Sequence, residues 1–380
     1  MKSEIFFLLR HLSISSFHHI PMEHTADKDS RIRVGISHGD INGISYEIIL
    51  KTLQDQRLLE NYTLILYGSS KIASYYRKML NLPEFNFNLI KRPDKAHPRR
   101  PNILNIIEEE VKIDVGKLTP VAGELAFRSL EMAVADLLRN QLDVLVTAPI
   151  NKKNIQSEQF RFPGHTEYLA EKCSITDYLM LMVNRQFRIG VVTGHIPVSK
   201  VAEQLTEELL ISKIRLLDQS LVRDFGVLKP RIAVLAFNPH AGDNGLIGDE
   251  DSRILRPAID KAFGEGTLVF GPYPADGFFG SSNFRAFDGI LAMYHDQGMV
   301  PFKQLSFDEG VNYTAGLPVV RTSPAHGTAF DIAGKNEANP EAFRNALFQA
   351  CDIFTNREQY KELIKNPLPS ARKESEGTHE

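Results

Sequence analysis

Three apolar runs in this chain each lead into a histidine. Residues 189–193 precede Gly194-His195, residues 232–237 precede Asn238-Pro239-His240, and residues 290–294 precede His295. Short apolar, β-branched runs of this kind predict strands. If the strands are parallel, all three histidines fall just past carboxyl ends, where open α/β sheets bind ligands. Three imidazoles meeting there would suit a catalytic divalent cation with positions left open for substrate. Each histidine alone reads equally well as a loop residue with a local hydrogen bond. The threefold repetition is what favours a metal.

His165, in Pro163-Gly164-His165-Thr166-Glu167, is a fourth candidate. Thr166 could cap the helix that follows, and a helix start favours anions; the plainer reading is a cap without a ligand. Lys303, Asn312 and Arg321 follow the third histidine. Lys and Arg suit phosphate and carboxylate groups, and Asn can bridge polar groups. Alone they would be ordinary surface residues, and nearness to the histidine turns gives them interest.

The elements that must position these residues alternate. Strands are predicted at 31–37, 63–67, 142–147, 178–183, 188–193, 231–237, 267–270 and 289–293. Helices are predicted at 45–54, 70–80, 123–139, 207–225, 251–263 (kinked at Pro257) and 340–355. Residues 84–120 read as irregular or strand-like. The alternation predicts an α/β fold with a mainly parallel sheet. No repeat and no long linker divides the chain, so any two subdomains must be interleaved within residues 31–366. Residues 1–30 are expected to be a disordered extension, with Met22 the natural start, and residues 367–380 a disordered tail.

The turn at residues 38–43 follows the first strand but lacks the GxGxxG fingerprint, and no Walker lysine motif occurs anywhere. A net charge of −3 gives no electrostatic footprint for nucleic acid. The apolar N-terminal run at residues 5–9 is too short for a membrane span. Two cysteines, Cys173 and Cys351, lie in apolar contexts without metal or disulfide spacing. That suits a reducing compartment, and a cytoplasmic location is expected.

Several motifs together resemble the 4-hydroxythreonine-4-phosphate dehydrogenases of vitamin B6 biosynthesis. They are Pro163-Gly164-His165-Thr166-Glu167, Asn238-Pro239-His240-Ala241-Gly242, Tyr294-His295-Asp296-Gln297-Gly298, Gly316-Leu317-Pro318 with Arg321-Thr322-Ser323, and His326-Gly327-Thr328-Ala329. The resemblance covers roughly residues 31–355. It implies the fold of isocitrate and isopropylmalate dehydrogenases, two interleaved α/β subdomains without a Rossmann domain. It implies metal ligation by His195, His240 and His295, and substrate binding by His165, Thr166, Lys303, Asn312 and Arg321. It implies a homodimer with each site completed by the partner subunit, a divalent cation (zinc, cobalt or magnesium), and NAD or NADP. The implied reaction oxidises 4-phosphohydroxy-L-threonine, a small phosphorylated hydroxy amino acid, to a β-keto acid that then loses CO2. Lys152, Asp249 and a hydroxide on the metal are candidates for the general base.

The chain departs from the family pattern at its first turn. Ser37-His38-Gly39-Asp40-Ile41-Asn42-Gly43-Ile44-Ser45-Tyr46 keeps both glycines and the acid but loses three prolines. Thr147-Ala148-Pro149 replaces Thr-Gly-Pro, and Gly277 stands where Thr is usual. These changes bear on cofactor preference and fine substrate choice. Other readings are a paralogue acting on a phosphorylated tetronate or a diol, a metal-dependent phosphohydrolase, and a non-catalytic metabolite-binding protein.

Overall fold

The computed structural model describes residues 31–306 and 308–365. The expected N-terminal extension and C-terminal tail lie outside the described residues. The strands are β1 (Ile32–Ser37), β2 (Tyr62–Gly68), β3 (Asn88–Ile90), β4 (Asn102–Asn105), β5 (Val144–Thr147), β6 (Leu179–Val183), β7 (Arg188–Thr193), β8 (Arg231–Leu235), β9 (Leu268–Tyr273), β10 (Gly289–Tyr294), β11 (Val311–Ala315) and β12 (Val320–Pro324). The helices are α1 (Ser45–Leu53), α2 (Leu58–Asn61), α3 (Ser70–Met79), α4 (Pro120–Leu138), α5 (His165–Lys172), α6 (Val201–Gln204), α7 (Glu207–Arg223), α8 (Arg256–Gly264), α9 (Ala275–Gly280), α10 (His295–Ser306) and α11 (Glu341–Ile364).

All strands join one sheet in the order β3-β4-β2-β1-β5-β12-β11-β6-β7-β10-β8-β9. The chain builds β1 to β5 on one side and β6 to β11 on the other. It then returns to place β12 between β5 and β11, closing the two halves into one sheet. Pairing is parallel except where β11 meets β12 and β6, and where β6 meets β7. The expected mainly parallel α/β architecture is therefore present. Every residue of β5 is buried, as a strand covered on both faces requires.

Local chemistry sets the helix starts. The Ser69, Thr119 and Thr206 side chains accept backbone N–H groups at the starts of α3, α4 and α7, satisfying donors the first helical turn leaves free. Pro120 sits in the first turn of α4, so that helix begins before the expected residue 123. The helix expected over 251–263 is irregular just before Pro257. A π-helical turn at Asp251–Leu255 precedes α8, and Pro257 stands in the first turn of that helix. The helical backbone runs unbroken from the π turn into α8, and the wider turn accommodates a proline that has no N–H to continue the ladder. In the 84–120 segment, β3 and β4 form and extend the sheet at one edge.

Candidate active site

β7, β10 and β8 are neighbours in the sheet and run parallel. His195 follows β7 by one residue, His295 begins α10 directly after β10, and His240 lies beyond β8. All three histidines therefore emerge at one edge of the sheet. A cavity of about 270 Å³ opens there. It gathers Lys152, His165, Thr166, His195, His295, Lys303, Asn312 and Arg321 from the expected set, and it does not include His240 or Asp249.

One wall of the cavity is built around Arg321 on β12, which is 3% exposed. Thr147, at the end of the neighbouring β5, accepts from Arg321 Nε at 2.9 Å and from Nη2 at 2.6 Å. Nη2 also donates to His165 Nδ1 at 2.7 Å. Burial pulls the guanidinium down to about 9, against the opposing pull of Glu167; it remains charged at neutral pH. Burial, reinforced by Arg321 and Lys152, drives His165 well below its ordinary value, so it is neutral. A guanidinium can only donate, so His165 Nδ1 must accept and its Nε2 must carry the proton. That Nε2 is buried without a partner. It is a donor held ready beside a fixed positive charge, with Lys152 and Lys303 on the same cavity. The arrangement suits a substrate with more than one anionic group.

Thr166 corrects one expectation. The N-cap of α5 is Gly164, and no side chain caps it. Thr166 Oγ1 instead lies 3.2 Å from Thr314 Oγ1 on β11, tying the helix start to the strand that carries Asn312. Asn312 Oδ1 is buried and unpartnered.

The opposite wall carries His195 and His295, with ring centroids 5.7 Å apart. His195 Nδ1 donates to Glu167 Oε1 at 3.3 Å, and His295 Nδ1 donates to Asp296 Oδ1 at 2.7 Å. In both rings this leaves Nε2 as the free lone pair, the form in which a histidine binds metal. These two residues fit a shared divalent cation.

His240 is placed differently. Residues 240–245 all have positive φ: 53° at His240, 54° at Ala241, 78° at Gly242, 43° at Asp243, 55° at Asn244 and 92° at Gly245. This is a left-handed turn, mostly exposed. Its foot is anchored by Asp251, a buried carboxylate that accepts the N–H of Phe237 (2.7 Å), the N–H of Asn238 (2.9 Å) and Asn238 Nδ2 (3.0 Å). Gly242 is required there, because an added Cβ would lie 2.6 Å from Gly248 O. Among the described residues no group of three metal-binding side chains stands together within one chain. Asp249 is exposed, pairs with Arg253 (3.2 Å) and belongs to this region.

The sequence motifs contained Glu167 and His326 without giving them roles, although both line the cavity. Glu167 is two residues past His165 on α5, and its reach to His195 depends on where β7 ends in space. His326 Nδ1 donates to Gly327 O at 3.0 Å, leaving a buried Nε2 acceptor.

A family model described as pyridoxal phosphate biosynthetic protein PdxA matches residues 60–350. The chain belongs to the PdxA family. It is 50% identical over 342 residues to a 4-hydroxythreonine-4-phosphate dehydrogenase of Bacteroides thetaiotaomicron, covering 90% of this chain and 94% of that one. It is 39% identical over 324 residues to a D-threonate 4-phosphate dehydrogenase of Salmonella typhimurium, covering 84% and 98%. The crystal structure of 4-hydroxythreonine-4-phosphate dehydrogenase from Klebsiella pneumoniae superposes with a TM-score of 0.74 at 35% identity, covering 86% of this chain and 99% of that one. This member of the PdxA family is accordingly an oxidoreductase.

Proposed function

We propose that this enzyme carries out the metal-dependent, NAD(P)-linked oxidation of 4-phosphohydroxy-L-threonine at its C3 hydroxyl. The product is 2-amino-3-oxo-4-phosphooxybutanoate, which then loses CO2 to give 3-amino-2-oxopropyl phosphate. The observation that carries this reading is the union, on one cavity, of the cationic wall around Arg321 with the His195–His295 pair.

Arg321 and Lys303 bind the phosphate and carboxylate, and His165 Nε2–H donates a further hydrogen bond. Thr166 and Asn312 orient the chain of the substrate between them. Holding both anionic ends fixes the orientation of the C3 carbon in the cavity, which would let a bound nicotinamide take the hydride in a near-unimolecular step. A divalent cation (zinc, cobalt or magnesium) held by His195, His295 and His240 would supply Lewis acidity at the C3 oxygen. NAD or NADP would accept the hydride. Lys152 is the candidate general base on the cavity; Asp249 could serve only if its region is brought to the site.

His240 fits this scheme if it is delivered by the partner subunit of a homodimer. Exposed Val198, Leu246 and Val300, at 75%, 82% and 64% exposure, stand close in sequence to the three histidines and suit a covered surface there. The working partners are a small phosphorylated substrate and a second copy of the chain, with no nucleic acid and no membrane. Among the described residues no helix is long and apolar enough to cross a membrane. A cytoplasmic setting matches the two free cysteines.

A second reading, oxidation of D-threonate 4-phosphate, is favoured by the 39%-identical relative of that name. Reduced-nicotinamide absorbance, followed with each substrate and with NAD and NADP separately, decides between the two. The expected result is reduction with 4-phosphohydroxy-L-threonine that EDTA abolishes. Turnover of the threonate phosphate alone would move the assignment, and full activity in EDTA would remove the metal from it.

A further inference from the structure

We propose that Glu167 is a positioning residue that fixes the His195 ring with Nε2 facing the cation, so that α5 ties the metal side of the cavity to its anion-binding side. This inference rests on the metal reading above.

The first turn of α5 carries three consecutive functional side chains. Successive residues on a helix point about 100° apart, so His165, Thr166 and Glu167 reach three different partners. His165 receives the Arg321 guanidinium, Thr166 meets Thr314 on β11, and Glu167 Oε1 receives His195 Nδ1–H. Glu167 is the sole carboxylate among the described residues lining the cavity. Its side chain is 21% exposed, against 74% for Asp296 behind His295. Its Oε2 is buried without a partner, and His195 is the side chain to which Oε1 is hydrogen-bonded.

An imidazole whose Nδ1–H is anchored to a carboxylate keeps one tautomer and one ring orientation, and its Nε2 becomes a better ligand. Water competes for the exposed Asp296 and much less for Glu167. The two carboxylates therefore differ in weight, although the Asp296 contact is the shorter.

The test measures zinc dissociation constants of the full chain by competition with a chromophoric chelator, for wild type, Glu167→Ala, Glu167→Gln and Asp296→Asn. Inorganic phosphate binding, read as a thermal shift of the metal-free protein, is measured alongside. Glu167→Ala is expected to weaken zinc about 10- to 100-fold, with phosphate binding unchanged. Glu167→Gln keeps an acceptor for Nδ1–H without its charge, and should recover part of the loss. Asp296→Asn should cost roughly threefold or less. Wild-type zinc affinity in Glu167→Ala overturns the proposal. So does equal weakening of zinc and phosphate, which would mean that α5 itself had shifted. Wild-type protein that binds no zinc overturns the metal reading first, and this inference with it.

Discussion

The Arg321 wall and the His240 turn are built in opposite ways. The wall is buried, and its parts determine one another: Thr147 holds Arg321, Arg321 sets the His165 tautomer, and Thr314 holds the start of α5. The turn is mostly exposed and left-handed through six residues. Four of those are not glycine, and each costs on the order of 1 kcal/mol in that conformation. The Asp251 clamp offsets this. On the proposed function, the residues assigned to anion binding come together within one chain, whereas the third histidine sits on a strained arm outside that cavity. Strain of this kind persists where surrounding structure holds it, and such residues cluster at functional sites.

The largest effect should come from the wall. Arg321→Ala leaves the substrate's anion unpaired in a buried site and should lower kcat/KM about 10³-fold, roughly 4 kcal/mol, in steady-state kinetics. Arg321→Lys should recover little, since a point charge cannot reproduce the fork that grips Thr147 and His165. Neither change should move zinc affinity; a parallel loss of zinc would break the division between the two regions. On the other side, Asp251→Ala strands the backbone N–H groups of Phe237 and Asn238, whereas Asn238 Nδ2 keeps Glu250 Oε2, and should destabilise the protein by roughly 2–3 kcal/mol in urea unfolding. Substrate-analogue binding at the wall should survive it.

Acid should act through the buried histidines. Burial pulls His38, behind the first turn, down to about 4, against weaker backbone hydrogen bonds, and burial also lowers His165 and His326. A histidine lowered in the folded state contributes its full stability above its unfolded value, near 6.5, and loses it as pH falls toward the folded value. For His38 that is on the order of 3 kcal/mol between about pH 6.5 and 4. Urea midpoints should therefore fall through this window, and less steeply in His38→Gln. An equal slope would remove His38 from the account. The smallest effect carries the opposite sign. Ala241→Gly removes a Cβ from left-handed backbone at φ 54° and ψ 40°, and should stabilise the protein by about 0.5–1 kcal/mol. Destabilisation there would mean that the turn is not strained.

The sequence made much of the wall readable. Strand periodicity placed β7, β8 and β10, and therefore three histidines at one sheet edge. Lys303, Asn312 and Arg321 were singled out by residue type and nearness to the histidine turns, given substrate roles by the resemblance, and do line the cavity. What escaped depended on contacts between distant segments. Thr166 looked like a cap, yet its partner is Thr314 across the site. Glu167 meets His195 only because α5 and the end of β7 converge. His240 shared its sequence context with the other two histidines, but an approach three to four residues longer and a left-handed backbone carry it away from the cavity within one chain. α10 was missed because Gly298 and Pro301 disguise a helix.

The central claim is that one chain supplies the wall and another supplies His240. It is tested by mixing inactive Arg321→Ala and His240→Ala subunits, allowing exchange, and measuring NAD(P) reduction. In a homodimer with shared sites, each hybrid contains one whole site and one doubly damaged site. Activity should then return to about one quarter of wild type at equal mixing. If His240 serves the cavity of its own chain, every hybrid site carries one lesion, and the mixture would stay as inactive as its parents.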